Sequence, residues 1–200
     1  MIETSHAAMG VAAGCIAIAG EVWYNWTIWT GKTQPDRVAW WVLALSGGLA
    51  AGSHLAVGGG WSVVVPLVVA IGMTVSAVLS TYRGVPLALG MFDRMALAVA
   101  AAGLGAWVVF GVPLVTLLGL IIVDGAAMAM NIRKAWRLPG SEAPGPWILT
   151  VLADVVNLPA VAGSGHGWIF PGYLFLINGM MLLTVMMALT RVVARQSVQP

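Results

Sequence analysis

The chain has 200 residues, of which 60% are hydrophobic and 8% charged, with a net charge of +2. Soluble domains carry roughly 25% charged residues, so a soluble fold of this length is excluded and lipid is the expected solvent. The nine Lys and Arg form no cluster interleaved with aromatics, which argues against a nucleic-acid partner, and the single Cys15 excludes an internal disulfide.

In lipid, backbone groups must pair internally, which leaves helices or closed barrels. Residues 114–123 do not alternate as barrel strands would, so helices are expected. The first predicted span covers 7–30. Gly10, Gly14, Glu21 and Asn25 share one face of it, and Trp23, Trp26 and Trp29 lie on another. Ala12-Ala13-Gly14-Cys15 has the look of a lipoprotein cleavage site, but Glu3 and His6 precede it and no basic residue does, so a signal peptide is not expected. The second span, 37–58, aligns Gly47, Ala50, Ala51, His54 and Gly58, and its Gly48…Gly52 is a helix-packing pattern. The third covers 61–82. The fourth, 90–110, is weakened by Gly90, Gly103 and Gly105. The fifth, 112–136, places Asp124 and Asn131 on one face. The sixth, 146–164, places Asp154 and Asn157 together and contains Pro159. The seventh, 170–192, contributes Asn178, and its methionines read as packing. Each span is near the ~20 residues that a bilayer requires.

The basic residues fall only in alternate connections: Lys32 and Arg37, then Arg83 and Arg94, then Arg133, Lys134 and Arg137, then Arg191 and Arg195. Lys and Arg near span ends stay on the cytoplasmic side. The expected protein is therefore an all-α membrane protein of seven transmembrane helices in a bacterial-type inner (plasma) membrane, with the N-terminus outside and the C-terminus cytoplasmic. Trp40, Trp41, Trp61, Trp147 and Trp168 stand at span ends, where an interfacial aromatic belt explains them.

The two halves repeat. An offset of 106 pairs Asn25 with Asn131 and Trp41 with Trp147. Trp61 and Trp168 open the third and seventh spans one residue out of step. Residues 1–89 and 112–200 thus read as two three-helix bundles, joined by a linker helix at 90–111. An odd linker restores orientation, so the repeats are parallel, with a pseudo-twofold axis along the membrane normal.

This three-plus-one-plus-three layout resembles the SWEET and PQ-loop superfamily. Asp124 and the segment Asn131-Ile-Arg-Lys-Ala-Trp-Arg-Leu-Pro-Gly-Ser-Glu142 are similar to the fifth helix and following loop of bacterial members. Gly31-Lys32-Thr33-Gln34-Pro35 resembles the matching loop of the first repeat. The layout covers nearly the whole chain and the motifs a short part of it. No Pro-Gln pair occurs; Trp23-Tyr24-Asn25 and Met128-Ala129-Met130 stand in its place. Of the family's prolines in helices one, two, five and six, only Pro159 has a counterpart. The resemblance implies alternating-access transport of a small polar solute, with Asn178 matching a helix-seven asparagine that faces substrate. The same fold also serves transporters of the nicotinamide riboside type.

A charge at the centre of a membrane helix costs about 2.5–3.5 kcal/mol, so each buried ionisable group is a candidate for function. Glu21, Asp124, Asp154 and His54 are the candidates for holding or relaying a proton. Asn25, Asn131, Asn157 and Asn178 offer donor and acceptor together to a neutral solute, and Trp23 and Trp26 offer faces for stacking. The opposing reading makes the same groups interhelical glue, worth about 0.6 kcal/mol per contact. His6, His54, His166 and Cys15 are too scattered for a metal site, and no cofactor is expected. Beyond lipid and solute, a second copy or a membrane partner is the other partner considered. Two alternatives to a solute carrier stand: a non-transporting membrane subunit and an intramembrane enzyme. The latter lacks a nucleophile–base pair at recognisable spacing.

Overall fold

Helix ends in this chain are written by a few side chains. Asp36 caps the second helix, its Oδ1 accepting the Ala39 N–H at 2.9 Å. Asp93 reaches back to accept the Gly90 N–H at 2.9 Å at the start of the fourth. Proline opens the fifth and sixth helices, at Pro113 and Pro144, where its missing N–H is not needed.

The computed structural model describes residues 2–56, 64–85, 89–110, 113–160 and 168–196, and among them the only regular elements longer than a single turn are α-helices. They are α1 (Ile2–Trp29), α2 (Arg37–Ala56), α3 (Val64–Arg83), α4 (Met91–Phe110), α5 (Pro113–Arg137), α6 (Pro144–Ala160) and α7 (Ile169–Gln196). These are the seven expected helices, with α1 starting earlier and α7 ending later than hydropathy suggests. The expected outer connections, with Trp61 and His166, lie outside the described residues. Among the described residues, one helix, Ile169–Ala194 within α7, is long and apolar enough to cross a membrane.

Packing divides the chain into two compact units whose limits differ from those of the sequence repeats. One unit contains Met1–Thr33 and Ile132–Pro200, and the other Gln34–Asn131. The first helix thus packs with the end of the chain, and the boundary between units falls inside α5.

In the first unit α1 runs antiparallel along α6. Gly10 approaches Ala160, Gly20 lies against Leu149 and Pro146, and Trp23 covers Gly145. The Tyr24 and Trp147 rings meet edge to face, with centroids 5.7 Å apart. Such a pair adds about 0.5–1.5 kcal/mol beyond its buried area. A Cβ on Gly145 would fall 2.4 Å from the Trp23 ring, so the bare backbone there is what admits the indole. Ile28, Ala135, Ala153, Met181, Val185 and Ala188 are buried.

In the second unit α2 runs antiparallel along α3. The Trp41 indole N–H donates to Thr81 Oγ1 at 3.1 Å. The expected packing pattern Gly48…Gly52 is not the face in use: a Cβ on either would meet nothing within 4 Å, whereas one on Gly47 would lie 2.9 Å from Met73 Sδ. The face in use is the other one expected on α2, which carries Gly47. Gly103 makes α4 a poor helix by propensity, yet it admits α5, since a Cβ there would lie 3.1 Å from the Gly119 carbonyl oxygen.

Replacing Gly145 with Ala overpacks this contact and is expected to cost about 1–3 kcal/mol. Trp23→Ala in the same chain should remove most of that penalty. A double-mutant cycle from unfolding in detergent checks this, and additive effects would show that the indole is not the obstacle.

Candidate functional site

The end of α1, the end of α5 and the start of α6 meet at one carboxylate. The α5–α6 connection turns at Gly140, whose φ of 84° is one that glycine adopts without strain. This turn sends Glu142 inward, where its residue is 3% exposed. Lys134, from the last turn of α5, forms an ion pair with Glu142 Oε1. The Tyr24 hydroxyl of α1 donates to the same oxygen at 3.2 Å. The Trp147 indole N–H of α6 donates to Oε2 at 3.1 Å. Both carboxylate oxygens are therefore engaged by the chain itself, and one of the partners is a cation that is also buried.

A second chain of bonds runs beside the first. The Ala143 N–H donates to Thr33 Oγ1 at 3.2 Å. The Thr33 hydroxyl donates to Thr27 Oγ1 at 2.9 Å, and the Thr27 hydroxyl donates to the Tyr24 carbonyl at 2.7 Å. The Lys32 and Thr33 N–H groups close the end of α1 on the Thr27 carbonyl. Tyr24 is thus tied to the α5–α6 connection through both its side chain and its backbone. Thr27, Thr33, Lys134 and Glu142 are all buried.

Sequence reasoning assigns Lys134 to membrane orientation and leaves Tyr24 and Glu142 without a role. One signal was available: Glu142 is the sole acid in the α5–α6 connection, and it stands eight residues after Lys134. Separation of the partners in sequence, 118 residues for Tyr24 and Glu142, hid the rest.

Of the sequence-predicted residues, Asp154 and Asn178 come together, the Asn178 amide donating to Asp154 Oδ2 at 2.9 Å between α6 and α7. Asn25 turns to its own helix, its amide donating to the Glu21 carbonyl at 3.0 Å. Asn131 is fully buried, and neither its amide nitrogen nor its amide oxygen has a hydrogen-bond partner. Asp124 is also buried, whereas Glu21 and Asn157 are half-buried. Trp23 lies over Gly145, and Trp26 is 60% exposed. His54 falls on α2, with its side chain outside the described residues. Among the described residues, no group of three His, Cys, Asp or Glu side chains is placed to hold a metal.

Chemically, the Glu142 cluster is a structural node: each carboxylate oxygen has a partner from the chain, and it binds three helix ends together. Removing one member of a buried pair leaves an uncompensated charge and costs about 3–5 kcal/mol. Lys134→Met and Glu142→Leu are each expected to destabilise the chain by about that amount, with the double variant less unstable than the sum. Tyr24→Phe, which removes one bond to a charged acceptor, should cost about 1.5–3 kcal/mol. Unfolding in detergent measures all three, and an unchanged midpoint for Glu142→Leu would show that the node carries no stability. Comparison with family models, with curated proteins and with solved structures found no match for this chain.

Proposed function

We propose that the chain is an integral membrane protein of seven spans, N-terminus outside, that moves a small polar solute by alternating access. Three observations support this reading. The composition is too apolar for a soluble domain of 200 residues. The basic residues sit in alternate connections, and the layout resembles that of SWEET and PQ-loop proteins.

The observation that carries the reading is Asn131. A buried polar group without a partner costs about 1–3 kcal/mol, and Asn131 leaves both a donor and an acceptor unmatched. A group in that state is poised for a ligand that supplies both partners, such as a hydroxyl pair or an amide of a neutral solute. The other polar groups in the helices are differently placed. Asn178 is held by Asp154, which makes Asn178 an oriented amide rather than a loose one. Sugars, amino acids and vitamin precursors are the solute classes this chemistry admits.

A second reading, a non-transporting membrane subunit, is favoured by the same bonds viewed differently. Asn178 engages Asp154 between α6 and α7, as interhelical glue does, and Asn25 is satisfied within its own helix. Purification with a stoichiometric partner, without any solute response, would select it.

Thermal-shift screening of the purified chain against the three solute classes tests the transport reading. Asn131→Leu, similar in volume and apolar, should abolish any solute-induced stabilisation. It should also raise the stability of the unliganded chain by about 1–3 kcal/mol, because an unmatched amide is gone. A solute response that survives Asn131→Leu sinks the assignment. For the orientation, Cys15 is first replaced, and single cysteines are introduced at Ala8, Lys32 and Arg137, all exposed. An impermeant maleimide should label 32 and 137 from one side of the membrane and 8 from the other.

A further inference from the structure

The exposed stripe of α7 ends on an unusual arrangement. Leu176, Met180, Leu183 and Met187 follow one another at helical spacing, and each is more than half exposed. Arg191 comes one turn later on the same face. Its guanidinium lies over the Trp136 ring of α5, 4.2 Å from the ring centroid. A guanidinium stacked in this way is fixed in plane and keeps its N–H edge available for a bidentate anion. Arg137 adjoins Trp136 in sequence and is exposed, as are Trp136 itself and Leu138. Arg133 stands one turn before Arg137 on the same helix face.

Two of these cations, Arg137 and Arg191, stand apart from the acids. Glu142 is the nearest acid in sequence to the α5 end, and it is buried and already paired with Lys134. Arg137 and Arg191 have no carboxylate partner among the described residues. Arg191 also lies within the last turn of Ile169–Ala194, the segment apolar enough to cross a membrane. An apolar track that terminates on a stacked cation beside an exposed indole matches one kind of occupant: an acyl chain ending in a phosphate.

We infer that Arg191, Arg137 and Trp136 form a site for an anionic phospholipid, with an acyl chain along Leu183 and Met187 and its phosphate on the two guanidinium groups. The inference rests on the reading that α7 crosses a bilayer. The indole marks the interfacial depth, as tryptophans do, and basic groups at the cytoplasmic ends of helices recruit anionic headgroups.

The test reconstitutes the full chain in phosphatidylcholine vesicles, then purifies it into detergent with equal phosphatidylglycerol and phosphatidylcholine of matched acyl chains. Native mass spectrometry reads the lipid retained. Wild type should retain phosphatidylglycerol preferentially. Arg191→Ala and Arg137→Ala should each weaken that preference about fivefold, the equivalent of the ~1 kcal/mol that a basic residue contributes near an anionic surface. Arg191→Lys, which keeps the charge and loses the planar stack, should fall between wild type and Arg191→Ala. Equal retention of the two lipids, or a preference untouched in Arg137→Ala/Arg191→Ala, overturns the proposal. So does competition by inorganic phosphate, by a short single-stranded DNA or by an acidic peptide as effective as that by phosphatidylglycerol. A chain that washes off phosphatidylcholine vesicles in alkaline carbonate instead overturns the reading that α7 crosses the bilayer, and the lipid site with it.

Discussion

A carboxylate cannot be taken out of water alone. Glu142 is buried, and its burial is possible because Lys134, Tyr24 and Trp147 together fill both of its oxygens. Desolvation of two charges costs several kcal/mol per ion, so this pair adds less to stability than to geometry. What it specifies is a register: α1 must end where Tyr24 reaches the α5–α6 connection, and α6 must begin where Trp147 does. The antiparallel seam of α1 along α6 follows from that fixed end, closed by small residues at Gly10, Gly20 and Gly145.

The same frame is filled with different chemistry in the two halves. Asp36 and Glu142 are equivalent at the repeat offset of 106. Asp36 caps a helix with a single backbone bond, whereas Glu142 gathers three side chains. The indoles equivalent to one another, Trp41 and Trp147, donate to Thr81 and to Glu142 respectively. Shifted by 106, Asp154 and Asn178 fall on Gly48 and Gly72, beside the rung where Gly47 meets Met73. The α6–α7 pair thus carries a polar bond where α2–α3 carries glycines. Positions that share the offset of 106 therefore differ in polar content from one half to the other.

The polar groups in the helices sort by whether they are matched. Asn178 is held by Asp154, and Asn25 is folded back on its own helix, while in the α5–α6 connection both Glu142 oxygens have partners. Asn131 alone among the four candidate asparagines is recorded as fully buried with both amide atoms unmatched. That contrast sets Asn131 apart from the groups that serve packing, since buried polar groups are ordinarily paired, and it is the contrast on which the proposed solute contact rests. At the end of α7 the imbalance has the opposite character: Arg191 and Arg137 are exposed and meet no carboxylate among the described residues.

Helix content was legible in the sequence, because long apolar runs without the alternation of strands favour helices. The approximate places of the helices were legible for the same reason, each being a property of nearby residues, whereas the starts at Pro113 and Pro144 came from the structure. Gly103 misled, since its low propensity was visible and the α5 backbone beside it was not. The Gly47 face of α2 was legible from its spacing, and so was the pattern Gly48…Gly52; only packing decided that the first of them meets α3. Tyr24 with Glu142, Asp154 with Asn178, and the isolation of Asn131 are facts about side chains from distant segments. Local periodicity determines which residues a helix presents. Which of them find a partner is decided by packing alone, because hydrogen bonds and ion pairs act over about 3 Å and carry no trace along the chain.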